Sequence, residues 1–262
     1  MRRQRALVDG REVMVGNAWD PTVTNFGHFT AMQVRAGRTR GLDLHLGRLG
    51  AASREMFDLG LSEELVRHAI REALGEDQDA SVRVYVIRDG IGHSVSVTVR
   101  PPGDPPSAPQ RLRSVRYQRP LAHLKHLGGF RIGGLDAQTY FARQAERAGF
   151  DDALFTGLGG AISEATIANI GFFDGPTIVW PSAPALAGIT MQVLQRELTP
   201  RAVAWRSAPV RLVDLNSFEG AFLTNSRGIW AVNGIDAIDY VVDAERMARL
   251  LEAYESATWD EI

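Results

Sequence analysis

Two runs of strict alternation, SVRVYVIR at 81–88 and HSVSVTV at 93–99, are separated only by Asp89-Gly90-Ile91-Gly92. Every second side chain of a strand shares a face, so each run sorts its valines to one side of a sheet. The link is a short turn with two glycines, too short for a crossover. The two runs therefore form an antiparallel hairpin, and its apolar face needs a covering layer.

The neighbouring segments supply the rest of that architecture. Residues 30–34 and 40–42 flank Ala36-Gly37, a second hairpin signal. Leu46, Leu49, Ala52, Met56 and Phe57 recur at helical spacing and predict a helix over 44–59. A second helix opens at Ser62-Glu63-Glu64-Leu65 and runs to 74. Ser62 suits the N-cap, and the glutamates suit the positive end of the helix dipole. Pro101-Pro102-Gly103-Asp104-Pro105-Pro106 reads as a surface loop, because strand-like alternation resumes at 111–117. The domain boundary is placed after that strand, giving a small N-terminal domain at 1–117 and a larger one at 118–262.

The second domain reads as helices at 135–148, 190–198 and 243–254, the first closed by Gly149 at C′. Its strands fall at 152–156, 168–173, 177–180, 203–206 and 221–224, with turns at Gly159-Gly160 and Asp174-Gly175. No internal repeat is present. The class is α+β in two domains, mixed sheets with covering helices.

Composition bounds the function. A net charge of −2 argues for neither nucleic acid nor an anionic membrane as partner. The absence of cysteine excludes disulfides, cysteine–zinc sites and cysteine nucleophiles. After the basic start Met1-Arg2-Arg3-Gln4-Arg5, the apolar run Ala6-Leu7-Val8 is too short for a signal-peptide core. No run reaches the ~18 apolar residues of a spanning helix. A cytoplasmic protein is expected.

Of the 29 lysines and arginines, Lys125 is the single lysine. A guanidinium stays protonated, whereas a lysine amine can form a Schiff base with a carbonyl. Glu164, in ISEATIANI, sits between a Gly-Gly turn and an apolar strand, either presented into a cleft or solvated in a turn. Ala187-Gly188-Ile189-Thr190 opens a helix, where N–H groups bind phosphate or merely await an ordinary cap. Thr224-Asn225-Ser226-Arg227-Gly228 is a polar turn that could add phosphate donors or be only a turn. Arg48, in LHLGRL, is a ligand or a snorkelling surface arginine. Together these are what pyridoxal phosphate requires: a lysine, a partner for the pyridine nitrogen and a phosphate cradle.

In their order these segments resemble the class IV aminotransferases. These fold-type IV pyridoxal-phosphate enzymes include branched-chain and D-amino-acid aminotransferases and 4-amino-4-deoxychorismate lyase. The resemblance spans about 26–232, through FGHFTAMQV, LHLGRL, LKHL, FDDALFTGLGGAISEATIANIGFF, LAGIT and AFLTNSRGIWAV. LKHL and the long block are its most specific parts. It implies a two-domain fold of the D-amino-acid aminotransferase kind. It makes Lys125 the Schiff-base lysine, sets Glu164 on the pyridine nitrogen, and assigns Arg48, Ile189, Thr190 and Ser226 to the phosphate. It also implies a homodimer.

The chain departs from the family pattern near the substrate. The opening Y/F-G-x-G-x-F motif shortens to Phe26-Gly27-His28-Phe29, with Phe29 where relatives often carry tyrosine. His93 stands roughly where some relatives carry an arginine, and extra chain at 128–134 lengthens the stretch between Lys125 and Glu164. His28, Phe29 and His93 are the candidates for the substrate pocket.

The expected activity is transamination of an amino acid or small primary amine. Lys125, once displaced, serves as general base at the substrate Cα, and Glu164 keeps the ring nitrogen protonated. One alternative is a lyase of the aminodeoxychorismate lyase type, eliminating a β- or γ-substituent. A second is a non-catalytic relative that binds a phosphate ligand or a partner, against which the retention of Lys125 and Glu164 argues. His123 and His126 are three apart and could share a helix face, but their spacing to carboxylates matches no zinc pattern, so no metal is expected. A local hydrogen bond is expected for His126 and a helix-start polar role for His45.

Overall fold

The computed structural model describes residues 5–8, 11–13, 26–89, 91–127, 131–132 and 135–262. The contacts divide into two compact units. One is Met1–Gly103 with Leu124–Gly129 and Thr258–Ile262; the other is Asp104–His123 with Phe130–Ala257. The single cut at 117/118 is corrected in this respect, because the stretch bearing Lys125 belongs to the first unit. That stretch joins a sheet edge through a two-residue strand, which leaves no periodicity to read.

The first unit holds strands β1 (Arg5–Val8), β2 (Arg11–Val13), β3 (Gly27–Val34) and β4 (Arg38–Arg40), then helices α1 (Leu42–Phe57) and α2 (Glu63–Leu74). The expected hairpin follows as β5 (Ala80–Asp89) and β6 (Gly92–Arg100). The chain passes to the second unit for β7 (Gln110–Arg116) and returns for β8 (His126–Leu127). It then runs through β9 (Arg131–Ile132), β10 (Leu135–Asp136), α3 (Ala137–Arg147), β11 (Asp152–Thr156), β12 (Ile162–Ala165), β13 (Asn169–Asp174), β14 (Thr177–Pro181) and α4 (Ile189–Leu198). Last come β15 (Trp205–Ala208), β16 (Gly220–Asn225), β17 (Gly228–Ile235), β18 (Ile238–Asp239) and α5 (Ala244–Glu255), and in the first unit β19 (Trp259–Glu261).

In the first unit the sheet order is β2-β1-β6-β5-β3-β8, antiparallel throughout. Val82, Val84, Val86, Val95, Val97 and Val99 form one buried face with Leu46 and Leu49 of α1 and Val66 and Ile70 of α2. Ser62 caps α2 as expected, its hydroxyl accepting the Leu65 N–H at 3.3 Å. The Ala36-Gly37 turn has φ 49° and 72°, the doubly positive geometry that joins two strands in two residues. Helix α1 starts at Leu42 rather than 44. Asp260, from the far end of the chain, accepts the Leu42 N–H at 2.9 Å, and no local pattern announces such a cap.

In the second unit the strands run β12-β11-β7-β17-β16-β13, and β12 pairs again with β13 through Glu164 and Asn169. Six strands thereby close on themselves, with β14 and β15 extending from β13. Leu112, Leu154, Ile162, Ile170, Phe172, Leu223 and Val232 fill the interior. Alternate residues point outward: Phe173, Phe222 and Ile229 meet α4 and α5, and Ala153 and Phe155 meet α3. Strand β7 runs parallel to both β11 and β17, so the sheet is mixed, as expected. Strand β17 was not expected, because the polar turn at 225–228 hides the return of its hairpin. The extra chain at 128–134 lies outside the described residues, apart from Arg131 and Ile132.

Candidate active site

In the first unit β8 lies against β3, with Leu127 opposite Gly27 and His126 opposite His28. The Phe29 N–H donates to the Lys125 carbonyl at 2.8 Å, so Lys125 and Phe29 continue that pairing. The half-buried Lys125 projects over the Phe29 ring, with Nζ 4.9 Å from its centroid. Phe29 stacks in turn on Tyr85, centroids 5.6 Å apart. The single lysine thus has an aromatic wall along one side.

His45 is the centre of a second group. It is buried, and its Nδ1 lies 2.6 Å from Thr30 Oγ1. Burial first, then the positive charges of Arg48 and Lys125, push its pKa down to about 3, against a smaller opposing effect from Asp43. His45 is therefore a neutral imidazole in the first turn of α1, a helix-start polar residue as expected and a buried one, and Arg48 and Lys125 share its neighbourhood.

Strand parity separates the three substrate candidates. His28 and Phe29 are consecutive in β3 and point to opposite faces. His28 is only 1% exposed, with Nε2 3.0 Å from Ser53 Oγ of α1 and its ring against Phe57. Burial, then the charge of His93, lowers its pKa to about 4. His93 lies in β6 on the face of Val95 and Val97, the helix-covered side. Both Nδ1 atoms are buried without a hydrogen-bond partner among the described residues. The grouping of His28, Phe29 and His93 is corrected accordingly: Phe29 shares a face with Lys125, while the two histidines share the other.

In the second unit Glu164 lies within β12 rather than in a turn, and is 6% exposed. The solvated-turn alternative is excluded. Its Oε1 accepts Arg119 Nε–H at 2.9 Å, and its Oε2 accepts the Leu186 N–H at 3.1 Å. Glu164 pairs with Asn169 of β13, which pairs with Thr224 of β16. Directly opposed residues share a face, so these three form one polar row.

The start of α4 meets that row. Asn169 Nδ2 donates to the Leu186 carbonyl at 2.6 Å, and Thr190 Oγ1 donates to the Asn225 carbonyl at 2.6 Å. Helix α4 opens after Gly188 with no side-chain cap, which leaves the first-turn N–H groups of Ile189 and Thr190 suited to an anion. Thr224 Oγ1 is buried with no partner among the described residues. Ser226 sits half-buried in the two-residue turn between β16 and β17. An uncapped helix start beside an unused buried hydroxyl fits a phosphate group, and a buried carboxylate fits a protonated ring nitrogen.

Arg119 and Asn169 were missed from sequence. Arg119 lies 45 residues from Glu164 in an arginine-rich chain, and no spacing marks it. The sequence marks Asp152 only as the start of a strand. Its buried carboxylate accepts the Thr166 hydroxyl at 2.6 Å, and burial raises its pKa. It secures the turn between β12 and β13.

His123 and His126 do not share a helix; His126 is in β8, with Nδ1 3.4 Å from the Leu127 carbonyl. Among the described residues no three histidine or acidic side chains are grouped to hold a metal ion. Nor is any helix there long and apolar enough to cross a membrane.

The family described as amino-transferase class IV matches residues 27–235. No curated protein sequence matches the chain. Similar solved structures include a hypothetical aminotransferase from Mycobacterium tuberculosis in its PLP-bound form. It is 20% identical, with a TM-score of 0.81 over 96% of this chain and 98% of that one. A fold IV transaminase from Curtobacterium pusillum is 20% identical, with a TM-score of 0.82 over 98% and 100% of the two chains. The branched-chain amino acid aminotransferase of Escherichia coli is 15% identical, with a TM-score of 0.82 over 97% and 94%. At these identities the likeness is one of fold.

Proposed function

The chain belongs to the class IV aminotransferases, and from that premise we propose that Lys125 holds the cofactor aldehyde covalently and moves the proton at the substrate Cα. It is a pyridoxal-phosphate-dependent aminotransferase acting on an amino acid or amine. The bound cofactor supplies an electron sink for the pair left at that carbon. With the cofactor in place, the Lys125 side-chain amine would serve as the base that takes and returns the proton at the substrate Cα. Glu164 accepts a hydrogen bond from the protonated ring nitrogen. Arg48, the N–H groups of Ile189 and Thr190, and Ser226 hold the phosphate. Phe29, backed by Tyr85, shapes the substrate side, and His28 and His93 serve the packing of sheet on helix. The protein works as a cytoplasmic homodimer, a reading supported by the family to which it belongs.

The observation that carries this reading is the single lysine, half-buried over Phe29 beside His45 and Arg48. The test is a visible absorption spectrum of the protein with pyridoxal phosphate, beside Lys125→Ala. A Schiff-base band in the wild type alone supports it, and amine donors that bleach the band identify substrates. A band in both proteins, or in neither, overturns it. Release of a keto product with the amino group passed to an acceptor is transamination. Loss of a β- or γ-substituent without an acceptor would be the lyase reaction.

A further inference from the structure

We infer that Arg119 is a positioning residue, holding the Glu164 carboxylate in the orientation that meets the cofactor ring nitrogen and tying it to the turn that leads into Lys125. This rests on the reading of Glu164 given above. Arg119 Nε donates to Glu164 Oε1 at 2.9 Å, and Arg119 Nη2 donates to the Ala122 carbonyl, three residues before Lys125 in sequence. The Leu186 N–H takes the other carboxylate oxygen at 3.1 Å. Among the described residues a donor meets each oxygen, from two separate segments, and together they fix the plane of the carboxylate. Each oxygen keeps a lone pair for a further donor.

Both partners are buried, with side-chain exposures of 10% for Arg119 and 7% for Glu164. Removing the guanidinium would leave a buried carboxylate short of its cation, so the two residues stand or fall together. The fork shape matters as well. A guanidinium serves two acceptors in fixed directions, whereas an ammonium serves them as a point charge. The chain that bears Arg119 is itself anchored. Two residues earlier, the Tyr117 ring packs on Phe141 and Phe155, centroids 5.1 Å away in each case, and its N–H donates to the Thr156 carbonyl at 3.0 Å.

The experiment uses Arg119→Gln, Arg119→Lys, Glu164→Gln and the double variant Arg119→Gln/Glu164→Gln. Apoprotein is titrated with pyridoxal phosphate by tryptophan fluorescence, and the visible band of the loaded protein is followed against pH. Circular dichroism melts confirm folding. Arg119→Gln should weaken cofactor binding about tenfold or more, the scale on which supporting residues act. It should move the pH response of the band in the same sense as Glu164→Gln. Arg119→Lys should fall between wild type and Arg119→Gln. The double variant should be no worse than Glu164→Gln, because Arg119 acts through Glu164. Additive losses, or wild-type binding and spectra in Arg119→Gln while Glu164→Gln is impaired, would overturn the role of Arg119 alone. If Glu164→Gln itself binds and absorbs like wild type, the reading of Glu164 fails and this inference with it. Should Arg119→Gln not fold, Arg119→Lys carries the test, and wild-type behaviour there overturns it.

Discussion

Gly188 shows how one missing side chain serves the site. Its φ is −60°, which any residue adopts, so backbone freedom is not the reason for glycine there. A Cβ at that position would fall on Asn169 Oδ1. Asn169 holds the Leu186 carbonyl, and the Leu186 N–H holds Glu164, so the displacement would travel to the carboxylate. Gly188→Ala should cost about 1–3 kcal/mol, the scale of overpacking, and weaken cofactor binding; melting and fluorescence titration check both. Thr30 makes a parallel case in the first unit. Thr30→Val keeps the shape but leaves His45 Nδ1 buried without its partner, and should lower stability by about 1–3 kcal/mol in a denaturant titration. Lys125 and Glu164 stood out in sequence as candidates because the cofactor's chemistry calls for those residue types. Asn169 and Arg119 were not, because their role comes from what the fold sets beside them.

Elements differ in how far their limits are local. Ser62 caps α2 from within its own segment, and Ser62→Ala should cost about 1 kcal/mol of stability. The same holds for Asp136 before α3 and Asp243 before α5, each accepting an N–H three residues on. Helix α1 depends instead on Asp260, 218 residues away. Asp260→Ala should cost a similar amount and fray the first turn of α1, visible as faster amide exchange at Leu42. Strand β12 also escaped a local reading. It is four residues long and irregular against β11, so its alternation is broken just where Glu164 turns outward.

At the scale of the whole molecule, stability should depend on pH through two buried histidines of the first unit. His28 and His45 have folded-state pKa values of about 4 and about 3, against 6.5 for a solvated imidazole. In both cases the unfolded chain binds the proton first as pH falls. Stability is therefore full above pH 6.5 and declines below it, by up to about 1.4 kcal/mol per pH unit for each histidine, until the folded-state values are reached. Asp152 in the second unit has the opposite sign. Its raised pKa makes protonation easier in the folded state, so it favours folding at acid pH and loses that contribution as pH rises through the raised value. Melting temperatures between pH 7 and 4.5 should fall, and His28→Gln or His45→Gln should each flatten the slope by about half. A wild-type profile that is flat over that range would mean neither histidine is held neutral by burial.

The order of residues was enough for the β5–β6 hairpin, the helices with their own caps, the cofactor class and the single amine able to hold it. The hairpin and the helices rest on short-range rules of period and capping, and the cofactor class on the joint order of segments spread over residues 26–232. What tertiary structure alone decided rests on pairing between distant segments. It placed Lys125 in the first unit by adding a two-residue strand to a sheet edge. It turned Phe29 toward Lys125 and His28 away by strand parity. It buried Glu164 between Arg119 and Leu186 by closing six strands on themselves. Hydrogen bonds between segments far apart in the chain leave no periodic trace in either one, which is why these features became visible only in the folded protein.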